Sequence, residues 1–114
     1  MKLKNFVSAF IFLSFAAVIS AQAQFENITG SINGRVVSVN GRGIRRATVN
    51  VINLTTLETQ TRMTNDFGYF KFRDLPILDL YLVTVSSKQY FFTFPNQLVQ
   101  FTGTEHHTLF TSDD

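Results

Sequence analysis

The stretch ATVNVINL, Ala47 to Leu54, sets the strongest constraint on the fold. Ala47, Val49 and Val51 occupy alternate places, with Thr48 and Asn50 between them. A period of two puts the first set on one face of a strand and the second on the other. The same signature recurs along the chain. Beyond Gln24, no window of a dozen residues sustains apolar residues at i, i+3, i+4 and i+7. Strands are predicted at 32–39, 47–54, 58–64, 69–72, 80–86, 90–94, 97–101 and 108–111, the third of them polar, with one wet face. Turn residues separate them, notably NGRG from Asn40 to Gly43 and SSKQ from Ser86 to Gln89. Seven or eight short strands at this spacing imply an all-β sandwich with Greek-key connections, because each half-apolar sheet must bury one face against another.

The segment TNDFGYFKF, Thr64 to Phe72, predicts how one of these turns is made. Asn65 suits the first position of a type I turn, and Gly68 suits a left-handed residue that closes it. The pattern reads as a hairpin. Phe70 and Phe72 then point to the core, and Tyr69 and Lys71 point away. Tyr81, Val83 and Val85 are expected inward, as are Tyr90, Phe92 and Phe94, which leaves Phe91 exposed. RDLPILD, Arg73 to Asp79, reads as a connection in which Leu75 caps one end of the core.

The first 23 residues are a different kind of polymer. MKLKN supplies two lysines, Phe6 to Ile19 is apolar except for two serines, and Ala21-Gln22-Ala23 is a small-x-small site. This is the layout of a secretory signal peptide, with cleavage expected before Gln24. The apolar run of 14 residues is short for a spanning helix, which needs about 20. No stable membrane span is therefore expected after cleavage.

Removing 1–23 changes the electrostatics. The chain has ten Lys+Arg and eight Asp+Glu, and Lys2 and Lys4 leave with the signal. The remaining eight of each sign make the domain 24–114 nearly neutral. Bulk positive charge, the footprint of a nucleic-acid binder, is thus absent from the domain, and no nucleic-acid partner is expected. Arg42, Arg45 and Arg46, with Arg35 upstream, form a local basic cluster that reads as a solvated loop. The chain has no cysteine, so neither a disulfide nor a lipid-attached cysteine can support it. Nine Phe and three Tyr lie beyond residue 23. They supply large apolar payloads for a core that must hold by packing alone.

Three blocks, GRVVSVNGRGIRRATVNV, TNDFGYFKFRDLP and YLVTVSSKQY, together resemble the carboxypeptidase regulatory-like domain. The matching positions are Gly34, Val36, Gly43, Ile44, Val49, Val51, Thr64, Gly68, Phe70, Tyr81, Val83 and Tyr90. The resemblance spans about Ser31 to Phe94. It implies a small transthyretin-like (prealbumin-like) β-sandwich that serves as a non-catalytic module for folding support, spacing or surface contact. Two family glycines are replaced, by Asp79 and Gln89, both at turns.

Chemistry-bearing residues are few. His106 and His107 are the only histidines. Neighbours on a strand face opposite ways, so they are poorly placed to share a metal, even with Glu105 nearby. No serine stands in a Gly-x-Ser-x-Gly elbow. Asp66, Asp74 and Asp79 sit where turns favour Asp. The hydroxyisourate hydrolases, an enzymatic branch of the resembling fold, end in Tyr-Arg-Gly-Ser, whereas this chain ends FTSDD. A Lys–Asn isopeptide staple, found in related adhesin domains, needs a lysine on the first strand, where this chain has Arg35. Asn27 and Asn53 stand in N-x-[ST] sequons, which matter only in a eukaryotic secretory host.

The sequence is thus read as an exported, non-enzymatic β-sandwich module, periplasmic or extracellular, with no catalytic residue, cofactor or metal. Its expected partner is a protein or an envelope component. The alternative is a carbohydrate-binding module, with Phe91, Tyr69 and Phe101 as candidate stacking residues. A hydrolase built around His106 or His107 is the third reading.

Overall fold

A computed structural model describes residues 28–114. The expected signal peptide and the Asn27 sequon lie outside the described residues. Seven strands follow one another among them: β1 (Thr29–Val37), β2 (Thr48–Asn53), β3 (Thr59–Met63), β4 (Tyr69–Pro76), β5 (Leu80–Ser86), β6 (Asn96–Gln100) and β7 (Glu105–Thr111). They form two sheets, ordered β4-β1-β7 and β3-β2-β5-β6. All neighbours are antiparallel except β1 and β7, which run parallel. The chain changes sheets repeatedly, and the result is the expected Greek-key sandwich.

The core lies between the sheets and follows the period-two pattern. Val49 and Val51 of β2, Phe70 and Phe72 of β4, and Tyr81, Val83 and Val85 of β5 are all buried. Ile32 and Val36 of β1, Val99 of β6 and Phe110 of β7 complete it. Phe70 meets Phe72 edge to face at 6.0 Å between centroids and Phe110 at 6.3 Å. Gly34 makes this aromatic packing possible. It is paired with Phe70 on one side and Thr108 on the other, and a Cβ there would run into the Phe70 ring and Thr108 Oγ1. β3 departs from the general pattern because its inward places hold Gln60 and Arg62, opposite Val51 and Val49. The expected single wet face of β3 is in fact wetness on both sides. The Arg62 guanidinium lies 5.8 Å from the Phe72 ring centroid and closes the core between the β3 and β4 edges. Such a stem covers apolar surface while the charged head stays in water.

Five further sequence expectations need correction. TNDFG does not close a hairpin, since β3 pairs with β2 and β4 pairs with β1. Asn65–Gly68 is an arch that carries the chain from one sheet to the other. RDLP belongs to β4, which runs through to Pro76 by means of a bulge: Ile32 pairs with Phe72 but Gly30 with Leu75. Asp74 takes the left-handed conformation there, at φ 59°, as bulges often require of one residue. Leu75 is buried in the core as expected.

Tyr90–Phe94 is not a strand. Its backbone groups are met by the C-terminal tail: Asp113 N–H donates to Phe91 O at 2.9 Å, and Thr93 N–H donates to Asp113 Oδ1 at 3.1 Å. Pro95 directly precedes β6. Phe92 is buried, Tyr90 packs against the core and Phe91 is exposed, but Phe94 is 84% exposed and not in the core. The last strand begins at Glu105, earlier than expected, so both histidines lie on it.

Candidate functional site

At the end of the sandwich where β1 finishes and β2 begins, the loops are held by a buried threonine. Thr64, 4% exposed, donates from Oγ1 to Ile44 O at 2.6 Å and accepts from Ala47 N–H at 2.9 Å. Its own N–H donates to Ala47 O at 2.9 Å, and its carbonyl accepts from Arg46 N–H at 3.2 Å. Four hydrogen bonds thus fix residues 44–47 against the end of β3. Arg46 is held at φ 56°, a left-handed conformation uncommon for a long side chain. Held this way, the loop presents Arg45 and Arg46 on the outside.

The register of the sheet brings a third cation to them. Thr48 pairs with Met63 and with Ser86, so the chain before Thr48 and the chain after Ser86 leave side by side. Arg46 and Lys88, each two residues beyond that row, border one groove of about 720 Å³ with Arg45, Met63, Ser86 and Ser87. Among the described residues the one ion pair is Arg45–Asp66, at 3.7 Å on the surface. Arg46 and Lys88 have no acidic partner among them.

Arg35, grouped with the arginines by sequence, stands apart from them. It lies in β1, donates from Nε to Phe67 O at 3.0 Å and stacks over Tyr69 at 5.0 Å. Lys88 is remote from the arginines in sequence, and only the pairing of β2 with β5 brings it to them.

The opposite end is organised by Asn53 and Tyr81. Asn53 Oδ1 accepts from the N–H groups of Thr55 and Thr56, at 2.8 and 3.1 Å, and Asn53 Nδ2 donates to Asp79 Oδ2 at 2.9 Å. Asp79 therefore supplies a side chain that braces the β2–β3 turn. Asn53 is 6% exposed with its amide engaged, so its sequon is closed in the folded domain. Tyr81 OH donates to Pro76 O at 2.6 Å. Burial, with the nearby Asp79 and Glu58 carboxylates, pushes its phenol up to about 12, because an anion there is poorly solvated and repelled.

The other candidates are dispersed. His106 and His107 pair with Ile32 and Asn33 at successive rungs, so they face opposite sides of their sheet. Among the described residues, no three His, Cys, Asp or Glu side chains gather as a metal site. Of the aromatics considered for stacking, Tyr69 lies under Arg35, and Phe101 packs edge-on against Tyr81 at 5.7 Å. Phe91 is exposed in the β5–β6 segment, as is Phe94. The three candidates do not form one platform. Lys71 and Lys88 are both exposed, so neither is placed between the sheets where a Lys–Asn staple would form.

The comparisons agree with this scaffold. The profile of the carboxypeptidase regulatory-like domain matches residues 31–93. The chain belongs to that family. No curated protein matches it significantly. Among solved structures, the major pilin subunit of Bacillus cereus aligns with a TM-score of 0.62 at 11% identity, over 75% of this chain and 30% of that one. A streptococcal ancillary pilin aligns with a TM-score of 0.62 at 12% identity, over 76% and 33%. The Bacillus anthracis TIE protein does so with a TM-score of 0.62 at 19% identity, over 73% and 16%. The chain thus spans a third or less of each of these proteins. At such identities the likeness establishes the shared fold.

Proposed function

We propose that residues 1–23 are a cleaved signal peptide and that 24–114 act as an exported, non-catalytic β-sandwich module, periplasmic or extracellular. Its role is structural support or contact with a protein or envelope component. The observation that carries this reading is the division of labour among the polar side chains. Thr64, Asn53, Asp79 and Tyr81 are all spent on bracing turns. The described polar network thus shapes loops. Family membership and the pilin subunits among the structural neighbours support it.

The test has two parts. N-terminal sequencing of the protein recovered from the envelope and the medium should begin at Gln24; an intact Met1 terminus there rules out signal cleavage. The purified protein, used as bait on the same extracts, should retain a specific partner. A glycan array run in parallel addresses the carbohydrate alternative, for which exposed Phe91 and Phe94 are the supporting observation. Glycan binding lost on Phe91→Ala or Phe94→Ala would replace the protein-contact reading.

A further inference from the structure

We propose that the groove bordered by Arg45, Arg46 and Lys88 is an anion-binding site that takes the carboxylates of an acidic segment on a protein partner. The inference rests on the interaction-module reading and names the surface that would make the contact.

Three observations carry it. First, the charge is concentrated. Arg42, Arg45, Arg46 and Lys88 are four of the eight cations beyond residue 23, in a domain whose formal charge nearly cancels. Three of the four border one concavity. Second, the cations are left available. Arg45 reaches Asp66 only at 3.7 Å, outside hydrogen-bond range, and Arg46 and Lys88 have no ion-pair partner among the described residues. Third, the arrangement is pre-set. The four hydrogen bonds of Thr64 fix the arginine loop and hold Arg46 at φ 56°. A loop already in place loses little freedom when it binds, which favours affinity.

The lining suits oxyanions and offers no stacking face. Ser86 and Ser87 add hydroxyl groups beside the cations. Guanidinium forks match carboxylate and phosphate oxygens alike in a two-point geometry, and an ammonium adds a point charge; a protein partner, which the interaction-module reading supplies, offers carboxylates. The only large apolar surface in the groove is Met63, 60% exposed. No aromatic ring lines it, so a sugar polymer has no face to stack on. The volume lies within the range of about 300–1,000 Å³ typical of ligand sites, room for a few residues of extended chain.

The experiment measures binding of the full mature protein to four probes at low salt by fluorescence anisotropy or competition. The probes are labelled hexaglutamate, labelled hexaglutamine, inorganic phosphate and a sulfated oligosaccharide. Hexaglutamate should bind and hexaglutamine should not. Affinity should fall as salt rises, because exposed ion pairs are screened. Arg46→Asn with Lys88→Gln should weaken hexaglutamate about tenfold, the loss of two charge contacts. Asn accepts the left-handed backbone at position 46, so this variant should keep its melting temperature. Lys71→Gln with Arg73→Gln removes the same charge on another face and should leave affinity unchanged.

Hexaglutamate binding that survives the groove variant overturns the proposal. So does equal weakening by both variants, which would reveal only bulk charge. Tighter binding of the sulfated oligosaccharide, or full competition by phosphate at equal concentration, replaces the acidic segment with another anion and also overturns it. Extract bait experiments separate the two readings. A partner retained equally by wild type and groove variant keeps the interaction module and removes this surface. No partner with either, alongside groove-dependent hexaglutamate binding, removes the interaction module instead.

Discussion

Gly43 and Gly68 pack backbone against backbone. A Cβ on Gly68 would stand 3.0 Å from Gly43 Cα and closer still to the Val36 carbonyl, while a Cβ on Gly43 would enter the Phe67 carbonyl. Gly68 also has φ 86°, and its carbonyl accepts from Val36 N–H at 2.8 Å. The arch between the sheets can lie against β1 and the 43–44 segment at this point only because two side chains are missing. Gly68→Val should therefore destabilise by about 3 kcal/mol or more, from forced positive φ added to a backbone clash. Gly43→Ala should destabilise by a smaller amount in the same direction. Urea unfolding midpoints measure both; an unchanged midpoint for Gly68→Val would contradict the crossing.

Thr64 is the second fixed point of the same arch. Thr64→Val keeps the shape but strands the Ala47 N–H and the Ile44 carbonyl, both of which use the hydroxyl. Each buried group left unpaired costs about 1–3 kcal/mol. Thr64→Val should lose at least about 2 kcal/mol by that accounting, whereas Thr64→Ser, which keeps the hydroxyl, should lose much less. Equal midpoints for the two variants would show that the hydroxyl does not hold the loop.

The sequence made the core legible where the alternation was local. Val49 and Val51, Phe70 and Phe72, and Tyr81, Val83 and Val85 all point inward as their spacing implies. Sheet membership was not legible, because a turn with Asn65 and Gly68 serves a hairpin and an arch equally well. Tyr90–Phe94 has a strand-like alternation, but its backbone donors and acceptors are claimed by Asp113. That is a pairing between residues about twenty apart. The groove was half legible. Arg45 and Arg46 adjoin in sequence, whereas Lys88 joins them through the Thr48–Ser86 pairing.

Tyr81 gives the fold a pH dependence at the alkaline end. Its phenol is raised from 10.0 to about 12 by burial and by the Asp79 and Glu58 carboxylates. Above pH 10 the unfolded chain loses this proton while the folded chain keeps it. The contribution to stability is therefore fully present below pH 10 and falls away as pH rises toward 12. Tyr81→Phe should lose about 1 kcal/mol at neutral pH, since the Pro76 carbonyl loses its 2.6 Å donor. The variant should also show a shallower decline in stability from pH 10 upward. Parallel curves for wild type and Tyr81→Phe over that range would place the titration elsewhere.

Leu57 offers the converse, a site where substitution should help. It is 73% exposed and held at φ 64°, so it suffers the left-handed backbone without burying its side chain. The conformation is imposed by the turn, in which Leu57 N–H donates to Asn53 O at 2.7 Å. That bond uses only backbone and survives a change of side chain. Asn tolerates positive φ far better than a bulky apolar residue. Leu57→Asn should therefore raise stability by about 0.5–1 kcal/mol through relief of strain. Thermal unfolding provides the check. A lower melting temperature would mean that Leu57 makes apolar contacts in the folded protein that outweigh its backbone strain.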